Sequence, residues 1–204
     1  QFISSSPQTL PNYLPNAAGI SAFYFQDPEG HVMELIHFPK EKGNPKWQIP
    51  TNKLFLGIDH SAIGIDKTTT SLPFYTEILG LKVGGNSENY GTEQEHLNQV
   101  FGAHLLITGL HANSGFGVEF LDYLAPQGGR KYPKESKSSD LWHWNYLFKT
   151  SDLDKIYNAL KSKKYSIISK KITELNLPNI GIVGKAFLAS DPDGHQFLIY
   201  QNKQ

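Results

Sequence analysis

The chain of 204 residues contains no cysteine. Disulfides, thiolate metal sites and cysteine nucleophiles are therefore excluded, and the absence fits the cytoplasm and an oxidising space such as the periplasm equally. There is no excess of either charge: nineteen Lys and Arg balance nineteen Asp and Glu. Basic residues form no stripe interleaved with aromatics, so nucleic acid is not an expected partner. No apolar run approaches the roughly 20 residues of a membrane-spanning helix, and no membrane association is expected. What the chain does have is 39% hydrophobic residues, enough for a core, together with 18 Gly and 12 Pro that mark many turns. That balance points to a strand-rich protein.

One stretch occurs twice. Asp27-Pro28-Glu29-Gly30-His31-Val32-Met33-Glu34-Leu35-Ile36 returns as Asp191-Pro192-Asp193-Gly194-His195-Gln196-Phe197-Leu198-Ile199-Tyr200, and upstream Ala22-Phe23 answers Ala186-Phe187. Pro presets φ at the second turn position and Gly takes a backbone state that other residues resist. Each copy thus reads as strand, tight turn and strand, a hairpin that closes a repeated unit. The first copy has nothing ahead of it to complete that unit. The chain is expected to begin in mid-module, so the lack of a signal peptide carries no meaning.

The pattern predicts an incomplete module over 1–40, a polar linker over 41–53, a complete module over 54–126, a second linker over 127–139 and a further module over 140–204. In the complete module Leu56–Ile65 reads as a strand with His60, Ala62 and Gly64 on one face. Thr68–Leu79 reads as a helix with Leu72, Tyr75 and Leu79 at helical spacing and Gly80 as its C-cap. Lys82 starts a strand, the polar segment 89–99 reads as a lid or short helix, and strands follow over 103–110 and 117–124. On the last of these Glu119, Leu121 and Tyr123 share a face. The final module begins with Trp142, Trp144, Tyr146 and Phe148 alternating against His143 and Asn145. A helix over 152–164 follows, its apolar stripe made by Leu153, Ile156, Tyr157 and Leu160.

Two consecutive β-α-β-β-β units, with an Asp-Pro-acid-Gly-His hairpin ahead of the first and another closing the second, resemble the vicinal oxygen chelate superfamily, which includes glyoxalase I, extradiol dioxygenases and bleomycin-resistance proteins. The resembling motifs are Gly57-Ile58-Asp59-His60, Phe74-Tyr75, Ile78-Leu79-Gly80-Leu81, Glu119-Phe120-Leu121 and the two hairpins. The resemblance implies an α+β fold in which paired βαβββ modules form a curved, mixed-sheet cavity, here with an extra N-terminal hairpin from the incomplete module. It also implies a divalent metal (Fe, Mn, Ni or Zn), chelating a small-molecule substrate through vicinal oxygens. Carried over position by position, the metal ligands are His60 and Glu119, with a third from the strand that opens the final module. Direct strand alignment gives His143 for that place, and alignment through the following helix gives Asn145. His143 is preferred because imidazole is the better ligand. The last-strand position of the final module is Leu198, which cannot bind a metal, and Glu34 is its carboxylate counterpart in the incomplete module. Gln196 and Tyr200 share the Leu198 face and are candidate ligand contacts. The alternative to an enzyme is a non-catalytic binder of the bleomycin-resistance kind, or the non-catalytic half of a four-module protein. The hairpin of residues 1–40 is expected to pair within a homodimer or with missing N-terminal modules.

His31 and His195, following the turn glycines, read as structural residues of the turn. Glu119 is the stronger candidate because a carboxylate facing inward from an apolar strand is costly to bury unless a cation or donors satisfy it.

Overall fold

A computed structural model describes residues 1–203. In chain order the strands and helices are β1 (Gln8–Thr9), β2 (Ser21–Gln26), β3 (Val32–His37), β4 (His60–Ile65), α1 (Thr68–Pro73), β5 (Lys82–Tyr90), α2 (Thr92–Asn98), β6 (His104–His111), β7 (Gly117–Ala125), β8 (Asn145–Lys149), α3 (Leu153–Ser162), β9 (Ser166–Ile167), β10 (Thr173–Leu177), β11 (Ile182–Ser190) and β12 (Gln196–Asn202). Strands and helices mix in an α+β fold; the predicted βαβββ succession carries an added short helix, α2, in β4–β7 and an added short strand, β9, in β8–β12. The chain divides into two compact units, one of Gln1–Thr68 with Leu81–Gly129, the other of Thr69–Gly80 with Arg130 onward.

The first unit holds a three-stranded sheet, β1-β2-β3, and a four-stranded sheet, β4-β7-β6-β5. The β4–β7 pair is parallel, with His60 opposite Gly117 and Ala62 opposite Glu119. That register explains why β4 starts at His60 and not at Leu56. β7 itself begins at Gly117, so Leu54, Phe55 and Ile58 lie outside the paired strand and are exposed. One face of the four-stranded sheet carries Ile63, Ile65, Val118, Phe120 and Leu110, all buried. The opposite face carries His60, Glu119, Leu121 and Tyr123, which alternation along each strand places together. The polar segment after β5 is the short helix α2. Tyr24 N donates to Ser4 Oγ (2.8 Å) and Ser4 Oγ to Leu97 O (2.8 Å), which ties α2 to the N-terminal sheet.

The second unit holds the sheet β10-β11-β12-β8, with β9 paired to β11. Its core joins Phe187, Phe197 and Ile199 of the hairpin to Leu153, Ile156 and Leu160 of α3, all buried. The helix of residues 69–80 belongs to this unit as well. Past Pro73, which has no N–H to give, the turn widens over Phe74–Ile78, and Gly80 closes it at φ 75°. Phe74 and Tyr75 lie 5.4 and 5.6 Å from the Phe197 ring. β8 starts at Asn145 because its parallel partner β12 starts opposite, at Gln196. Trp142 and Trp144 therefore precede the strand and are exposed, whereas Tyr146 stacks on Phe197 at 4.9 Å.

Candidate functional site

The site lies in the first unit and centres on His60, the first residue of β4. Its Nδ1 is 2.9 Å from Asp59 Oδ2, and Trp47 Nε1 donates to the other oxygen of the same carboxylate. With Nδ1 so engaged, Nε2 points to two carboxylates, 3.5 Å from Glu119 Oε2 and 3.7 Å from Glu34 Oε2. Glu34 reaches the site from β3, where it pairs across the hairpin with Tyr24. The Tyr24 phenol and the Glu34 carboxylate interact electrostatically across that pair.

Burial and mutual repulsion dominate the electrostatics. Desolvation, then the negative charge of Glu119, push Glu34 up to about 7 against the pull of His60. Desolvation likewise raises Glu119, with His60 opposing. Burial alone would lower the His60 pKa, but the Asp59 hydrogen bond and the charges of Glu119 and Glu34 overcome it and raise the value to about 9. The hydrogen bond from His60 holds Asp59 below its usual range. Burial, followed by the charges of Glu34 and Glu119, drives Tyr24 far upward. Two half-buried carboxylates around one imidazole call for positive charge between them, supplied by a proton on His60 or by a cation.

The donor set of one imidazole nitrogen and two carboxylates suits Fe, Mn, Ni or Zn. The Asp59–His60 pair is the arrangement in which a carboxylate fixes the tautomer and aim of a ligating imidazole. Among the described residues no three such side chains stand ready-made to hold an ion. The chemistry of the set fits a metal, and its spacing is that of a proton-bridged cluster.

A chain of amides borders the same face. Asn89 Nδ2 donates to Gln94 Oε1 (3.1 Å), Gln94 Nε2 to Asn98 Oδ1 (2.6 Å), and Asn98 Nδ2 to the Tyr123 phenol oxygen (2.7 Å). Tyr123 accepts in this chain, which leaves its own O–H to donate elsewhere. Glycines line the sheet beside Glu119: Gly109 pairs with Glu119, Gly85 with Gly109, and Gly64 with Leu121. A Cβ added at Gly64 or Gly85 would meet nothing within 4 Å.

Of the sequence-predicted residues, the structure brings together His60, Glu119 and Glu34. His143 and Asn145 lie in the second unit. His143 sits in the turn before β8, its N–H donating to Asp140 O (2.9 Å). Leu147 pairs with Leu198 as Ala62 pairs with Glu119, so it is Asn145 that occupies the counterpart of the His60 position. Gln196 lies opposite Asn145 and Tyr200 opposite Lys149. His31 and His195 bond their own turn carboxylates, Asp27 at 3.1 Å and Asp191 at 2.9 Å, in keeping with a structural role. Sequence reasoning missed Tyr24, Asp59 and Trp47. Asp59 adjoins His60 and would sit on the opposite face of a strand, but the strand begins only at His60 and the alternation rule does not reach it.

The model of the Glyoxalase/Bleomycin resistance protein/Dioxygenase superfamily matches residues 57–199. The chain belongs to this superfamily. Its members typically use a divalent metal and act on small molecules. Among solved structures, a glyoxalase family protein from Bacillus cereus matches with TM-score 0.64 and 13% identity over 76% of this chain and 100% of its own. A glyoxalase I mutant from Zea mays matches with TM-score 0.60 and 17% identity over 98% of this chain. The chain spans 60% of the length of that maize chain. A glyoxylase/bleomycin resistance protein/dioxygenase domain from Frankia sp. gives 0.51 and 15% over 72% of this chain and 93% of its own. At these identities the likeness is one of fold. No curated protein matches the chain in sequence.

Proposed function

We propose that the chain is a divalent-metal-dependent enzyme of the glyoxalase/dioxygenase type, acting on a small molecule with vicinal oxygens, and that His60, Glu119 and Glu34 hold the ion. The observation that carries this reading is the aim of His60 Nε2 at two half-buried carboxylates while Asp59 holds Nδ1. Glu34 takes the place that sequence alignment gave to His143. A bound ion would supply Lewis-acid polarisation of the substrate oxygens. Asp59 and Trp47 set the imidazole plane, and Tyr24 orients the Glu34 carboxylate. Tyr123, held by Asn98, offers a hydroxyl proton to a substrate oxygen. Gly64, Gly85 and Gly109 leave room beside Glu119 for the rest of the molecule.

In the second unit Asn145 and Leu198 stand where the first has His60 and Glu119. This favours a binding or structural role for that unit's corresponding face. The test of the enzyme reading is metal content after reconstitution with Fe(II), Mn(II), Ni(II) or Zn(II), for wild type, Glu34→Ala and Glu119→Ala. One equivalent in wild type and its loss in both variants is expected. Substoichiometric metal in wild type with all four ions overturns the reading.

A further inference from the structure

The two copies of the repeated hairpin are built alike and covered differently. Their registers coincide: Phe23 pairs with Leu35 and Phe25 with Met33, as Phe187 pairs with Ile199 and Ala189 with Phe197. Their turns coincide too. Asp27 Oδ1 accepts from the N–H groups of Glu29 and His31, and Asp191 Oδ1 from those of Asp193 and His195, all at 2.8–3.0 Å. Gly30 and Gly194 have φ of 98° and 100°.

In the second copy the face formed by Phe187, Ala189, Phe197 and Ile199 is at most 2% exposed. Helical residues cover it, with Phe74 and Tyr75 on Phe197 and Tyr157 at 5.1 Å from Phe187. The covering helix also engages the turn. Tyr75 OH donates to Asp191 Oδ2 at 2.7 Å, and Ser71 Oγ donates to Asp193. In the first copy the same face leaves Met33 47% and Leu35 45% exposed, and from outside the hairpin Phe2, itself 79% exposed, meets Phe23 at 5.4 Å. The turn keeps both acids, Asp27 and Glu29, with His31 as the side chain beside them.

We infer that the outer face of the first hairpin, Phe23, Phe25, Met33 and Leu35 with the Asp27 turn at its end, is a docking surface for an amphipathic α-helix from outside residues 1–204. That helix carries an aromatic pair on its apolar stripe and hydroxyl donors placed to meet Asp27 and Glu29, as Ser71, Phe74 and Tyr75 meet the second copy. The acidic turn complements hydroxyl donors and disfavours an acidic helix. This surface is on the opposite side of β3 from Glu34, because successive side chains alternate, so it is separate from the metal-binding reading.

The probe is a fluorescent, helix-stabilised peptide of residues 66–81, which carries the required chemistry, titrated into the full chain by anisotropy. Saturable binding is expected. Leu35→Glu weakens it at least tenfold and Asp27→Asn several-fold, with the far-ultraviolet circular dichroism of both variants unchanged. A peptide with Tyr75→Phe binds more weakly to wild type than the parent peptide does. Three results overturn the inference: no saturable binding; binding indifferent to Leu35→Glu, which places the peptide on the second hairpin; or a concentration-dependent dimer of the chain that Leu35→Glu abolishes, which makes a second copy the occupant.

Discussion

The metal-free chain is expected to lose stability as pH rises from about 5 to 9.5, and the His60 cluster sets the sign. The folded-state pKa of Glu34 is raised from 4.5 to about 7 and that of His60 from 6.5 to about 9. A raised value means that the fold holds the proton more tightly than the unfolded chain does, so stability falls as pH climbs through the interval. The Glu34 contribution is complete below 4.5 and gone above about 7. The His60 contribution is complete below 6.5 and gone above about 9. At about 1.4 kcal/mol per pKa unit, His60 accounts for about 3 kcal/mol. Its side chain is 12% exposed, so solvent screens this little. The two shifts share one ion cluster and do not simply add. For a chain of this length such a loss lowers the melting temperature by roughly 6–12 °C. The assay is thermal and urea denaturation in a chelator at stepped pH, for wild type and His60→Gln. Wild type should show the decline between pH 6.5 and 9.5 and the variant a much flatter line. A wild-type midpoint that is flat or rises over this range, or the same slope in His60→Gln, refutes the reasoning.

Asp59→Asn should weaken metal binding about 10–100-fold, because the imidazole loses the carboxylate that fixes its aim; titration calorimetry reads this, with circular dichroism as the check on fold. Gly64→Phe fills the open space beside Leu121 and should abolish binding of a vicinal-oxygen probe such as 4-nitrocatechol, while metal content stays at the wild-type value. Loss of both together would show that Gly64 serves the fold and not the cavity. Ile199→Ala should destabilise by about 2–5 kcal/mol, and Leu35→Ala, at the equivalent place in the first hairpin, by less than about 1 kcal/mol. Equal losses in urea melts would mean that the first hairpin face is already covered.

The fold was legible wherever a local pattern carried it. The Asp-Pro-acid-Gly-His turns, the helix of Leu153–Ser162 and the order of elements each follow from spacing and turn chemistry. Strand starts were not, because they depend on the partner: Gly117 decides where β4 begins, and Gln196 decides where β8 begins. The choice between His143 and Asn145 as the counterpart of His60 has the same origin, since only the pairing of Leu147 with Leu198 fixes it. In the site, His60 and Glu119 were visible as inward residues of a repeated unit. The approach of Glu34 was not, because two residues on strands of different sheets share no periodicity that reveals their contact. Asp59 and Trp47 reach the site from irregular backbone, where no alternation rule applies.

The helix of residues 69–80 has a consequence for how the chain folds. Its Tyr75 is bonded to Asp191, 116 residues away, and its Phe74 packs on Phe197. These contacts form only after residue 197 has been made, so the second unit closes through a long loop, a topology associated with slow folding. Until then an aromatic helix face stays bare during synthesis, and a chain cut after Gly129 would carry that face permanently. Such a truncation should accumulate in aggregates, although all of the first unit lies ahead of the cut.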